Sequence, residues 1–128
     1  MGLPNSPSKV EAAYCCNRPS ATAYIMPPGV YGLSNQLLNS PEKKLVQGKS
    51  KFEEIVSGLQ DGSVDERQCE KQLLDLLCDE TCLYPDENYA ALGFPDNVLK
   101  HITSVFVAPT LLYGEPFGTR TNTVCVIG

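Results

Sequence analysis

The sequence predicts an α+β domain, and three observations carry that expectation. A β-hairpin pattern opens the chain, with Val10–Cys16 and Thr22–Met26 separated by the turn-rich Asn17-Arg18-Pro19-Ser20. Two stretches of helical period fill the middle, between Ser40 and Cys78. β-rich runs return at Ile102–Ala108 and Gly118–Ile127.

Taking the elements in order, residues 1–11 read as a flexible leader and 12–128 as the domain. Pro27-Pro28 ends the second hairpin strand. Pro28-Gly29-Val30-Tyr31-Gly32-Leu33-Ser34-Asn35 reads as a short strand ending in a corner, because Gly29 and Gly32 admit φ > 0 or a close neighbour. Ser34 and Asn35 favour a turn there. Ser40-Pro41 is a helix start, a capping residue before a first-turn Pro. Leu45, Phe52, Ile55, Val56 and Leu59 give this helix an apolar stripe, with Lys43, Lys44, Lys49 and Lys51 on a solvated face. Ser63-Val64-Asp65-Glu66 reads as a capping box for a second helix that runs to about Cys78 and buries Cys69, Leu73, Leu76 and Leu77. Asp79–Asn97 is an acidic connection, and Pro109–Phe117 a loop.

Composition excludes several classes. The chain has 128 residues, the size of one domain or a piece of one, and a net charge of −5 with no dense basic patch, which argues against nucleic acid. No apolar run is long enough for a membrane-spanning segment. No signal peptide is read, so the six cysteines are taken as reduced thiols of an intracellular protein.

Few residues carry chemistry. His101 is the only histidine and reads as a helix-end residue. Cys78 and Cys82 stand one helical turn apart, short of a zinc set. Asp79, Glu80, Asp86 and Glu87 lack calcium-loop spacing and read as a solvated acidic loop. Gly2 with Ser6 fits a myristoylation pattern, and Cys125-Val126-Ile127-Gly128 a prenylation box, both of which short sequences match by chance. In Gly118-Thr119-Arg120-Thr121-Asn122-Thr123, strand alternation puts Arg120 and Asn122 on one face, where an Arg beside hydroxyl residues suits a carboxylate or phosphate.

Pro28-Gly29-Val30-Tyr31-Gly32-Leu33-Ser34-Asn35-Gln36-Leu37-Leu38, continuing through Pro41, Lys44, Gly48-Lys49 and Phe52, resembles the second half of the transport and Golgi organisation (NRDE) family. Gly118–Val124 is similar to that family's late motif. The resemblance implies a partial αββα sandwich like that of the N-terminal nucleophile hydrolases. It implies a role in Golgi organisation, protein secretion, and lipid or haem homeostasis, with a lipid, acyl-CoA or haem ligand and no cofactor. The implied locations are cytoplasm, Golgi or mitochondrion. The family's opening Met-Cys and its Asn-Arg-Asp-Glu motif are not in this sequence, so the form read here is non-catalytic. The alternatives are a fragment of an N-terminal nucleophile amidase or acyltransferase, and a structural interaction module. Tyr31, Asn35, Thr119, Arg120 and Asn122 are the candidate binding residues.

Overall fold

The computed structural model describes residues 11–18 and 21–127, in two compact units, Met1–Val30 and Tyr31–Gly128. The leader lies almost wholly outside the described residues, as do Gly2 and Gly128 of the two lipidation patterns. The described residues of the first unit hold a hairpin. Its strands β1 (Ala12–Cys16) and β2 (Thr22–Met26) pair antiparallel with Tyr14 opposite Tyr24. Those two rings stand 5.6 Å apart and tilted, a cross-strand aromatic pair that fixes the register.

In the second unit, α1 (Lys43–Gln60) and α2 (Glu66–Leu77) pack as a helical hairpin. A 3-10 helix (Glu87–Leu92) and α3 (Asp96–Ile102) follow, then a small hairpin of β3 (Thr110–Leu112) and β4 (Glu115–Phe117). Tyr113 (φ 51) and Gly114 (φ 83) make that hairpin's two-residue turn, both in the left-handed region. The core gathers on Tyr89, Val98 and Ile102, with Phe94, Leu99, Val107 and Leu112 packed against them. No helix among the described residues is long and apolar enough to cross a membrane.

Several expectations are corrected. Ile102–Ala108 is not a strand. Thr103 and Ser104 are buried and turn their hydroxyls back onto the carbonyls of Lys100 and His101, which closes α3 instead of extending a ladder. Pro109–Phe117 holds the β3–β4 hairpin. Gly118–Ile127 runs without a ladder partner among the described residues, and the opening stretch forms a loop. The second helix is capped two residues later than the motif suggested, by Asp65 with Gln68 at N3. Cys78 is the C-cap of α2 and Cys82 lies beyond it, so the two thiols are not one helical turn apart. All six cysteines are free.

Candidate functional site

Helix α1 begins at Lys43, not at Ser40-Pro41, because its cap comes from elsewhere in the chain. The Lys43 backbone N–H donates to Asp86 Oδ2 at 2.7 Å, across 43 residues of sequence. A carboxylate there satisfies an orphan donor and faces the positive end of the helix dipole. Asp86 also accepts from the Asn88 N–H at 3.0 Å and from Asn88 Nδ2 at 2.6 Å. Burial pushes the Asp86 carboxyl up, yet the hydrogen bonds from Lys43 and Asn88 outweigh it and hold it below the usual range. The solvated acidic loop expected here is therefore corrected at its centre, since Asp86 is buried.

Glu42, fully buried, is the second half of this joint. Its carboxylate accepts from the Tyr89 hydroxyl on one oxygen and from Ser40 Oγ at 3.1 Å on the other. Ser34 hydrogen-bonds the same phenol, and Gln36 Nε2 donates to Asn88 O at 2.8 Å, so the opening motif closes onto the joint. Burial and the Glu42 carboxylate together push the Tyr89 phenol far up, which keeps it a neutral donor. Among the described residues no buried side-chain nitrogen or oxygen lacks a partner.

The four lysines of α1 are corrected from a solvated face to a row of anchors. Lys43 Nζ donates to Pro85 O, Lys44 Nζ to Ile102 O at 2.8 Å, Lys49 Nζ to Asn39 Oδ1 at 3.0 Å, and Lys51 Nζ to Asp79 Oδ2 at 2.7 Å. Burial lowers the Lys44 ammonium, which lies 5.7 Å from the Tyr89 ring centroid.

The motif glycines are close-approach positions. A Cβ on Gly32 would stand 2.7 Å from Leu45 Cδ1, and one on Gly118 would stand 2.9 Å from Val107 O. The loop after Gly32 is clasped by Asn39, whose N–H donates to Gly32 O at 2.8 Å and whose Oδ1 accepts from Gly32 N at 3.0 Å. Thr119 clamps residue 107 from both sides: its N–H donates to Val107 O, and its Oγ1 accepts from Val107 N, each at 2.9 Å. Asn122 Nδ2 donates to Leu77 O at 3.3 Å and covers an orphan carbonyl at the end of α2.

Of the candidate binding residues, Thr119 and Asn122 thus serve as ties. Arg120 points outward while Asn122 points inward, which corrects the shared face expected of them. Arg120 is exposed, with no hydrogen bond or ion pair among the described residues. Asn35 and Tyr31 are exposed in and before the clasped loop. Among the described residues no hydrogen bond or ion pair joins Asn35 to Arg120. His101 sits in the last turn of α3, at the helix end its sequence position suggested. Glu42, Asp86 and Tyr89 were missed from sequence. The signal that could have found them is Glu42 directly after Ser40-Pro41, an acid at the helix start itself.

Comparison with known proteins gives one family. Residues 4–128 match the family described as Transport and Golgi organisation 2. The chain is 34% identical over 114 residues to the Transport and Golgi organization 2 homolog of Mus musculus. It is 32% identical over 114 residues to the Transport and Golgi organization protein 2 homolog of Homo sapiens. Each alignment covers 89% of this chain and 40% of the relative, so the chain spans well under half the length of the relatives it matches.

Proposed function

The chain belongs to the Transport and Golgi organisation 2 family, and on that premise we propose that it acts in Golgi organisation and protein secretion. The finer reading is lipid or haem homeostasis through an anionic ligand, in a form that is itself non-catalytic. One observation carries this reading. Within a late motif whose Thr119 and Asn122 are committed to the fold, Arg120 alone offers an exposed guanidinium with no partner among the described residues. A guanidinium held on a fixed backbone suits the carboxylate of a fatty acid, the phosphates of acyl-CoA or the propionates of haem. The buried acids support the non-catalytic part, because Glu42 and Asp86 bond to partners of their own. For the fold, the proposal is that hairpin and helices belong to an αββα sandwich of the N-terminal nucleophile type. A full-length relative whose equivalent hairpin gains no further strand would remove that part.

The functional test is rescue. Cells lacking the endogenous family member receive the full-length protein or its Arg120→Ala variant, and Golgi morphology and release of a secreted cargo are scored. Rescue by the parent with loss in the variant is expected. The purified protein is titrated in parallel with palmitoyl-CoA, oleate and haem. Absence of saturable binding to all three would remove the ligand-handling reading and leave the Golgi role standing.

A further inference from the structure

Residues 121–127 have the composition and form of a β-strand and no sheet to belong to. Five of the seven, Thr121, Thr123, Val124, Val126 and Ile127, are β-branched, and none is charged, Gly or Pro. Asn122 and Val124 are half-buried while Thr121, Thr123 and Cys125 are exposed, the period of two that a strand shows. The segment is held at its start, by the Thr119 clamp on Val107 and by the Asn122 amide on Leu77 O. Beyond those ties its backbone is bare. Among the described residues no main-chain N–H or C=O of 121–127 takes a hydrogen bond. Val126 and Ile127, at its far end, are 54% and 73% exposed.

An open strand edge is normally blunted by a Lys, a Pro or a bulge. This one carries none of them, so it suits another extended backbone that supplies donors and acceptors in register. A second copy of the chain is a poor occupant. The strand is about 23 Å long at the usual rise, and one such pairing falls short of the about 1,200 Å² that separate chains bury in a stable complex. A strand on the same polypeptide needs no such area, because tethering gives it an effective concentration of about a millimolar. The relatives have the material for it: each alignment covers 40% of the relative, so more than half of that chain lies outside the aligned residues.

We propose that residues 121–127 are a docking strand, and that its occupant is a β-strand from the part of the family's chain outside the aligned residues. The two are joined by a main-chain ladder, and the pairing covers Val126 and Ile127. The inference is independent of the anion-binding reading of Arg120, because a ladder uses backbone groups and the guanidinium takes no part in it.

The test is hydrogen exchange read by mass spectrometry on three proteins: this chain, the Mus musculus relative, and a chimera in which this chain replaces the aligned residues of that relative. Residues 121–127 are expected to exchange without protection in this chain at any concentration. In the chimera, and at the matching residues of the relative, exchange should be about a hundredfold slower. Replacing Cys125 and Val126 together by Pro removes two adjacent N–H groups, which point to opposite edges, so it breaks a ladder on either side. Both side chains are exposed and neither N–H is bonded in this chain. Cys125→Pro/Val126→Pro should therefore leave the melt of this chain unchanged and abolish the protection in the chimera. Free exchange in both chimera and relative would overturn the proposal. So would protection in this chain that grows with its concentration, which would put a second copy on the strand, and so would protection that survives the double Pro variant. Where the chimera shows no cooperative melt, the relative's own exchange and the same Pro pair at its matching residues decide.

Discussion

Replacing Tyr89 by Phe removes one hydroxyl and almost no volume, so its cost reads the polar joint and not a cavity. Glu42 is fully buried, and its carboxylate has Tyr89 on one oxygen and Ser40 on the other. Losing a hydrogen bond to a buried charged acceptor costs about 1.5–3 kcal/mol. Water cannot replace the phenol without opening the core around Tyr89, Val98 and Ile102. We expect Tyr89→Phe to destabilise by about 2–3 kcal/mol, a sizeable part of a domain's usual stability. Glu42→Gln keeps the shape and weakens the acceptor. In that background Tyr89→Phe should cost only about 1 kcal/mol, because a neutral hydrogen bond is roughly half as strong. Urea unfolding at unchanged m gives each value, and the four proteins form a double-mutant cycle. The reasoning is refuted if Tyr89→Phe falls within about 0.5 kcal/mol of the parent, or if its cost is the same in both backgrounds.

Four further outcomes are expected. The hydrogen bond from Lys51, then those from Thr81, hold the Asp79 carboxyl at about 2 against its ordinary 3.8. That stability is complete above the ordinary value and lost as pH falls through the folded one, so Lys51→Met should flatten the acid limb. The loss is about 1 kcal/mol, because half-exposed Lys51 is screened; an unchanged acid limb in unfolding titrations would count against the pair. A Cβ at Gly48, inside α1, would meet nothing within 4 Å. Gly48→Ala should therefore stabilise by about 0.5–1 kcal/mol, and a lowered urea midpoint would contradict this. Gly118→Ala forces a Cβ onto the backbone at Val107 O and Pro109 Cα, and should cost about 1–3 kcal/mol and speed hydrogen exchange at Val107. Gly32→Ala meets side-chain atoms of Leu45 and Lys49 and no backbone, and should cost less, an order that paired melts can reverse.

The first hairpin and the two long helices were legible because their signals are local. Turn residues between two short runs, each holding a tyrosine, mark the hairpin, and a 3.6-residue period marks the helices. The start of α1 was not legible, because its cap is 43 residues away and Ser40 bonds to Glu42 instead. The same holds for the lysines: a charge on the polar side of a helix looks solvated until the segment it grips is in place. Residues 102–108 misled because β propensity cannot tell a strand from a helix exit when Thr103 and Ser104 hydroxyls serve the backbone. At the candidate site, the glycines of both motifs were recognisable as unusual, and their neighbours were not. Leu45 and Val107 lie elsewhere in the chain, and only packing identifies them.

The remote cap on α1 also bears on the order in which the chain can become structured. A ribosome delivers Lys43 well before Asp86, so the first turn of α1 emerges without the acceptor that will hold it. The α1–α2 hairpin closes over residues 61–65 and has all its parts early. Closing a 43-residue loop to bring in the cap costs on the order of 3 kcal/mol of chain entropy before any bond repays it. Until Tyr89 and Asp86 arrive together, Glu42 is an ordinary solvated acid at a fraying helix end, and the opening motif has nothing to close upon.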